Sequence, residues 1–191
     1  MQNVLLKPNF RVLAIDDGSF RPGQKQKIPL VGVIYRIDGR IEGILSQKIS
    51  VDALDSTEKI IEMLSDGKFL QQVSFILLQG INFAGFNIAD VKRLNSVLKK
   101  PIIIVFRKFP DMDEIRNALR KFPDREKRLA LIRNAGKIRK INSIHFQFIG
   151  TDEPTAREVI KKTLMHSFLP EPIRIAHLVA SGMTLGQSTR P

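Results

Sequence analysis

Two apolar runs, Val73 to Leu78 and Pro101 to Phe106, constrain this chain most. A strand without a polar face has to be buried on both sides, so these runs belong at the centre of a sheet covered above and below. The segments around them supply the cover. Asp55 to Leu64 carries Ile60, Ile61 and Leu64 at helical spacing and stops near Gly67. Asn87 to Leu98 reads as a helix, as do Asp111 to Lys121 and Asp124 to Ala135, which are broken apart by Pro123. Glu153 to Phe168 and Pro172 to Ser181 complete the set.

Ahead of the central runs the period is that of strands. Arg11 to Ile15 is apolar and ends in Asp16-Asp17-Gly18, and the Pro- and Gly-bearing loop Phe20 to Pro29 follows. Leu30 to Ile37 and Arg40 to Ser50 flank Asp38-Gly39, a strong hairpin signal. Ile144 to Ile149 is the last strand. The expected class is α/β: three antiparallel strands, then alternating helix and strand, in a mixed sheet with helices on both faces. Ribonuclease H-like nucleases share this order, although fold order alone does not establish function. Residues 1–182 read as a single domain and 183–191 as a flexible tail of Gly, Ser, Thr and Pro.

The chain contains no Cys, which excludes disulfides, thiolate metal sites and a cysteine nucleophile. No 18 apolar residues run together and Met1 to Phe10 lacks a signal-peptide pattern, so a cytoplasmic, non-membrane protein is expected. Against 19 Asp and Glu stand 31 Lys and Arg, a net charge of +12 that predicts a polyanionic partner, nucleic acid before an anionic membrane. The tract from Arg107 to Lys140, with Arg133, Lys137, Arg139 and Lys140 at its end, carries +7 of that surplus and suits a surface that contacts a phosphate backbone.

Acidic residues at element ends are the candidates for chemistry. Asp16 and Asp17 close the first strand, where adjacent side chains project to opposite sides. Either carboxylate suits a hard cation such as Mg²⁺, which commonly takes one or two carboxylates plus substrate phosphate; a polar Asp-Asp-Gly turn is the plainer reading. Asp55-Ser56-Thr57-Glu58 fits a capping box, with a shared cation facing Asp16 as the alternative. Asp111 to Glu114 repeats the cap pattern. Gln79, Gly80 and Asn82 follow the first central run, at the strand end where α/β sheets place sites. Arg107 and Lys108 end the second run and suit a phosphate. His145, His166 and His177 lack paired metal-ligand spacing and read as structural.

Phe168-Leu169-Pro170-Glu171-Pro172-Ile173-Arg174-Ile175-Ala176-His177 resembles the C-terminal Leu-Pro-Glu-Pro-x-Arg-x-Ala segment of endonuclease V. The Ile15-Asp16-Asp17-Gly18 and Gly85-Phe86-Asn87 segments are similar to those of the archaeal relatives of that enzyme, some described as deoxyuridine endonucleases. The resemblance runs in order over residues 10 to 181. It implies that Asp16 and Glu58 hold a metal, Mg²⁺ or Mn²⁺, with Asp17 or Asp55 completing the shell, and that Arg107 or Lys108 takes the place of the catalytic lysine. Gln79 stands where endonuclease V has its third carboxylate, and Ser50 to Leu54 replaces the Pro-Tyr-Ile-Pro wedge. The implied activity is a metal-dependent endonuclease acting near deaminated or unusual nucleotides, deoxyuridine or deoxyinosine, in DNA. The alternative is a nucleic-acid-binding module that kept the fold and lost catalysis; oligomeric state is open.

Overall fold

The computed structural model describes residue 6, residues 8–21, residue 23, residues 25–65, residues 67–165 and residues 168–191. Pro22 of the expected loop and His166 lie outside the described residues. A hairpin meander opens the fold: β1 (Arg11–Asp17), β2 (Ile28–Arg36) and β3 (Ile41–Ile49) pair antiparallel in sequence. Then come α1 (Ser56–Ser65), the single turn α2 (Phe69–Gln72) and β4 (Val73–Gln79), which returns parallel to β1. A two-stranded hairpin, β5 (Asn82–Phe83) and β6 (Asn87–Ile88), precedes α3 (Val91–Leu98) and β7 (Ile102–Phe106), which lies parallel to β4. The rest is α4 (Met112–Ala118), α5 (Arg125–Asn134), β8 (Arg139–Ile141), β9 (Ile144–Ile149), α6 (Glu153–Thr163) and α7 (Glu171–Leu185). The sheet order is β3-β2-β1-β4-β7-β9-β8, with β9 antiparallel to both neighbours.

The two apolar runs are the central strands β4 and β7, as the sequence requires, and the expected ribonuclease H-like mixed sheet with helices on both faces is what forms. Strand pleating sorts their side chains. Leu13, Ile15, Ile76, Leu78, Ile102 and Ile104 join the core beneath α1 and α3. Val12, Ala14, Phe75, Leu77, Ile103 and Val105 join the core beneath α6 and α7. Each such aliphatic side chain contributes about 1.5–3 kcal/mol by leaving water. The edge strand β3 keeps an exposed face, consistent with its polar residues.

Several boundaries differ from the sequence reading. The helix expected from Asn87 starts at Val91, because Asn87 and Ile88 pair with the β5 strand and the Asp90 side chain caps Arg93 N. Arg139–Ile141 pairs as a short edge strand inside the basic tract, where three residues give no readable alternation. The helix expected to reach Phe168 ends at Thr163, since Leu164 turns extended and bridges to Pro170. Instead of ending near Ser181, α7 runs through Leu185. The segment expected as a flexible tail folds back onto it: Thr189 N donates to Ser181 Oγ at 3.2 Å and Ser188 Oγ to the Leu178 carbonyl at 2.8 Å. No described helix is long and apolar enough to cross a membrane.

Candidate active site

The carboxyl ends of β1, β4 and β7 meet at one edge of the sheet. Asp16 closes β1 on the α7 side, 4% exposed, and its Oδ2 lies 2.9 Å from Nδ1 of His177. On the other side of the pleat, Asp17 Oδ2 accepts from the Ala84 amide at 2.8 Å. The two carboxylates therefore project to opposite faces, as strand geometry requires. Gln79 stands one position beyond the Ile15–Leu78 pair, level with Asp16 and on the same face by alternation. Its Oε1 is buried without a hydrogen-bond partner among the described residues, an uncompensated acceptor of the kind that folded proteins rarely tolerate.

Helix α7 is placed by the segment quoted above. Proline favours the first turn of a helix, and Pro172 falls there. Glu171 in that turn holds Arg174 through contacts of 2.6 and 2.8 Å. Ile173, Ala176 and Ala180 are buried against the sheet, and the small Ala side chains let the helix approach closely. Gly18 completes the fit, because a Cβ there would stand 2.5 Å from Thr184 Cγ2 and 2.9 Å from Pro29 Cγ. The same docking brings His177 to Asp16. Nε2 of His177 meets Thr189 Oγ1 at 3.1 Å.

Burial pushes the Asp16 carboxyl above its ordinary range, with the His177 contact and charge pulling the other way. Asp17 is pushed up to about 7, first by burial and then by the charge of Asp16, against the Ala84 amide that lowers it. Burial thus makes both carboxylates costly to ionise, and a proton or a cation beside them relieves that cost.

The other sequence candidates fall elsewhere. Glu58 is exposed on α1 and forks onto Arg93 at 2.7 and 3.2 Å rather than closing a capping box. Asp55 ties the preceding loop instead, accepting from Ser50 N, Ser50 Oγ and Asn87 Nδ2. Asp111 caps α4 as read from sequence. Among the described residues no three His, Asp or Glu side chains form a ready metal cage. Arg107 and Lys108 line a groove of about 250 Å³ with Ser143 and Phe168. His145 packs edge-on against Phe109, in keeping with its structural reading.

On the opposite face lies a larger cavity of about 440 Å³. Phe86, Phe106 and Phe109 wall it, Asn82 and Gln147 add polar edges, and Arg133, Lys137 and Arg139 stand among its lining residues. Arg139 is committed to Glu153 at 2.9 Å, and Lys140 lies on β8 beside β9. Gly80 turns the chain out of β4 with φ 78° while its amide holds the Val105 carbonyl. The turn after β5 then runs through Ala84 and Gly85, with φ of 44° and 86°. Asp52 secures this turn: its amide donates to the Ala84 carbonyl and its Oδ1 accepts from Phe86 N. Arg128 secures it from below, buried, donating to the Ala53 and Phe86 carbonyls and to Asp124, with its guanidinium 4.3 Å from the Phe122 ring centroid.

Sequence reasoning missed His177, Asp52 and Arg128 as members of this assembly. His177 had a usable signal, since it directly follows the Leu-Pro-Glu-Pro-x-Arg-x-Ala pattern. Asp52 and Arg128 had none, being ordinary polar residues whose partners are backbone atoms far along the chain.

Comparison with known proteins gives a consistent picture. Residues 8–184 match the family model of endonuclease dU. A UPF0215 protein of Pyrococcus furiosus is 42% identical over 97% of both chains. A protein of unknown function from Archaeoglobus fulgidus has a similar structure, with TM-score 0.85 at 37% identity over 91% of this chain and 98% of that one. Ciona intestinalis endonuclease V, solved with a 23-mer DNA containing an inosine, matches with TM-score 0.59 at 14% identity over 88% of this chain and 83% of that one. That last likeness is one of fold.

Proposed function

This chain belongs to the endonuclease dU family, and from that premise we propose that it is a metal-dependent, cytoplasmic DNA-repair endonuclease that cleaves near deoxyuridine or deoxyinosine. The observation that carries the reading is the buried Asp16–His177 pair at the sheet edge, level with the unpartnered Gln79 oxygen. Buried hard oxygen donors suit Mg²⁺ or Mn²⁺, which need few protein ligands when substrate phosphate supplies the rest. Asp16 and the Gln79 carbonyl would hold the ion on the α7 face, whereas Glu58, Asp17 and Asp55 would join only if their contacts to Arg93, to the Ala84 amide and to Ser50 and Asn87 opened. When bound, the ion supplies charge neutralisation at the scissile phosphate and a more acidic water.

The protein's own groups do the remainder. Asp16 fixes the His177 ring through Nδ1, which leaves Nε2 to hold or pass a proton on the side of Thr189. Arg107 and Lys108 grip the phosphate, and Arg133, Lys137, Arg139 and Lys140 the neighbouring backbone. The cavity beneath the Ala84 turn takes the altered base out of the stack, its rings against Phe86, Phe106 and Phe109 and its edge toward Asn82. Gly80 frees the backbone to approach.

A second reading, a binding module without catalysis, is favoured by Gln79 standing in place of a carboxylate. One experiment separates them. Wild-type protein with Mg²⁺ or Mn²⁺ is incubated with oligonucleotides bearing deoxyuridine, deoxyinosine or normal bases. Site-dependent cleavage lost in His177→Ala by about 10²-fold supports the first reading. Salt-sensitive binding with no cleavage by any metal supports the second.

A further inference from the structure

Phe168 is the most exposed large apolar side chain among the described residues, at 82%. The base cavity and Asp17 do not explain it, because they lie on the other face of the sheet. Solvent exposure of a whole phenyl ring forfeits the burial that stabilises the other aromatics of this core. It is nonetheless tethered close to the body of the fold. The chain on its C-terminal side is anchored by the buried Leu169, by the Leu164–Pro170 bridge and by the proline-bounded first turn of α7. The ring therefore stands one residue from a buried anchor on its C-terminal side.

Its surroundings are cationic. Phe168 shares its groove with Arg107, Lys108 and Ser143, and neither basic residue forms an ion pair among the described residues. β7, which presents Ile103 and Val105 to the α7 face of Asp16 and His177, ends at Phe106, and Arg107 and Lys108 follow it directly. About 9 Å of helix separates Glu171, at the start of α7, from His177. An exposed ring, two free cations and a hydroxyl in one open groove match one kind of occupant: a nucleobase on the ring, with the adjoining phosphate between the cations. A protein partner would need a wider apolar surface, and a lone phosphate would leave the ring unused.

We infer that Phe168 is a stacking platform for an unpaired nucleobase of the bound strand, with Arg107 and Lys108 holding the phosphate next to it. This rests on the nucleic-acid-binding half of the function proposed above, but not on cleavage. The platform and the base cavity engage different nucleotides, one to each face of the sheet edge, so the strand at the site is opened over more than a single base.

The test measures binding without turnover. Full-length protein in EDTA is titrated into a fluorescent single-stranded oligonucleotide and a fully paired duplex of the same sequence, and 2-aminopurine placed along the single strand reports stacking. Phe168→Ala is expected to weaken single-strand binding about ten- to hundredfold, to abolish 2-aminopurine quenching and to leave duplex binding and the melting temperature unchanged. Phe168→Tyr is expected to restore both signals. Phe168→Leu is expected to behave like Phe168→Ala, because it keeps apolar bulk without a ring. The inference falls if Phe168→Ala binds the single strand within twofold of wild type, if both substrates weaken equally, or if Phe168→Leu binds like wild type. Cleavage that persists alongside any of these results leaves the nuclease reading standing. A Phe168-dependent single-strand signal in a protein that never cuts supports the platform alone.

Discussion

Asp16 and Asp17 are neighbours in the chain and occupy two different environments. Asp16 faces α7 and a histidine, with an unpartnered amide oxygen level with it on β4. Asp17 faces the β5–β6 turn, where one backbone amide is its hydrogen-bond partner. Both are buried enough to resist ionising, but only Asp16 sits beside a group that can exchange a proton. One strand end thus presents one carboxylate to an imidazole on one face and another to a backbone amide on the other. The residue type says nothing about which is which; the pleat and the packed elements decide.

Breaking the contrast should have its largest effect at Asp16. Asp16→Asn is expected to cut metal-dependent cleavage about a thousandfold or more, whereas Asp17→Asn, which keeps an acceptor for the Ala84 amide, should cost at most about tenfold. Single-turnover rates on a deoxyuridine oligonucleotide measure both, and equal losses would erase the distinction. Next in size is Arg128→Ala. It strands the Ala53 and Phe86 carbonyls and leaves Asp124 alone, so denaturant titration should show about 3 kcal/mol of lost stability.

The pH dependence sharpens the same comparison. Asp17 titrates near 7 when folded and near the ordinary 3.8 when unfolded, so between those values the folded protein binds more protons. Its contribution to stability is fully present below about pH 4 and is lost as pH rises toward 7, at most about 1.4 kcal/mol for each pH unit. Asp16, also raised, acts in the same direction. Unfolding midpoints of wild type should therefore fall between pH 5 and pH 8, and those of Asp17→Asn should fall less. Parallel curves would show that Asp17 ionises freely. The smallest effect belongs to Glu58, whose ion pair with Arg93 is half exposed: Glu58→Ala should change stability by less than about 1 kcal/mol. A large loss of cleavage in that stable variant would show that Glu58 leaves Arg93 to serve the metal.

Much of this fold is legible from local signals. The runs at β4 and β7, the Asp38-Gly39 turn and the cap at Asp111 each announce themselves within a few residues. The candidate site is legible only in part. Asp16, Gln79 and Arg107 follow from the rule that sites gather where central strands end, and β1, β4 and β7 do end together. Glu58 and Asp55 show the limit of that reasoning, because a helix start offers carboxylates many partners and here they chose Arg93, Ser50 and Asn87. His177 and Arg128 depend on contacts 161 and 75 or fewer positions away in sequence, which no local pattern encodes.

That 161-residue separation has a consequence for how activity arises during synthesis and folding. Until α7 docks on the sheet, Asp16 has no imidazole beside it. A chain caught at that stage would hold much of the nuclease scaffold without a completed site. The Ala176–Ala180 face of α7 thus ties the His177 contact to the packing of the whole helix: crowding its seat, as in Gly18→Val, is expected to part His177 from Asp16 without altering either residue.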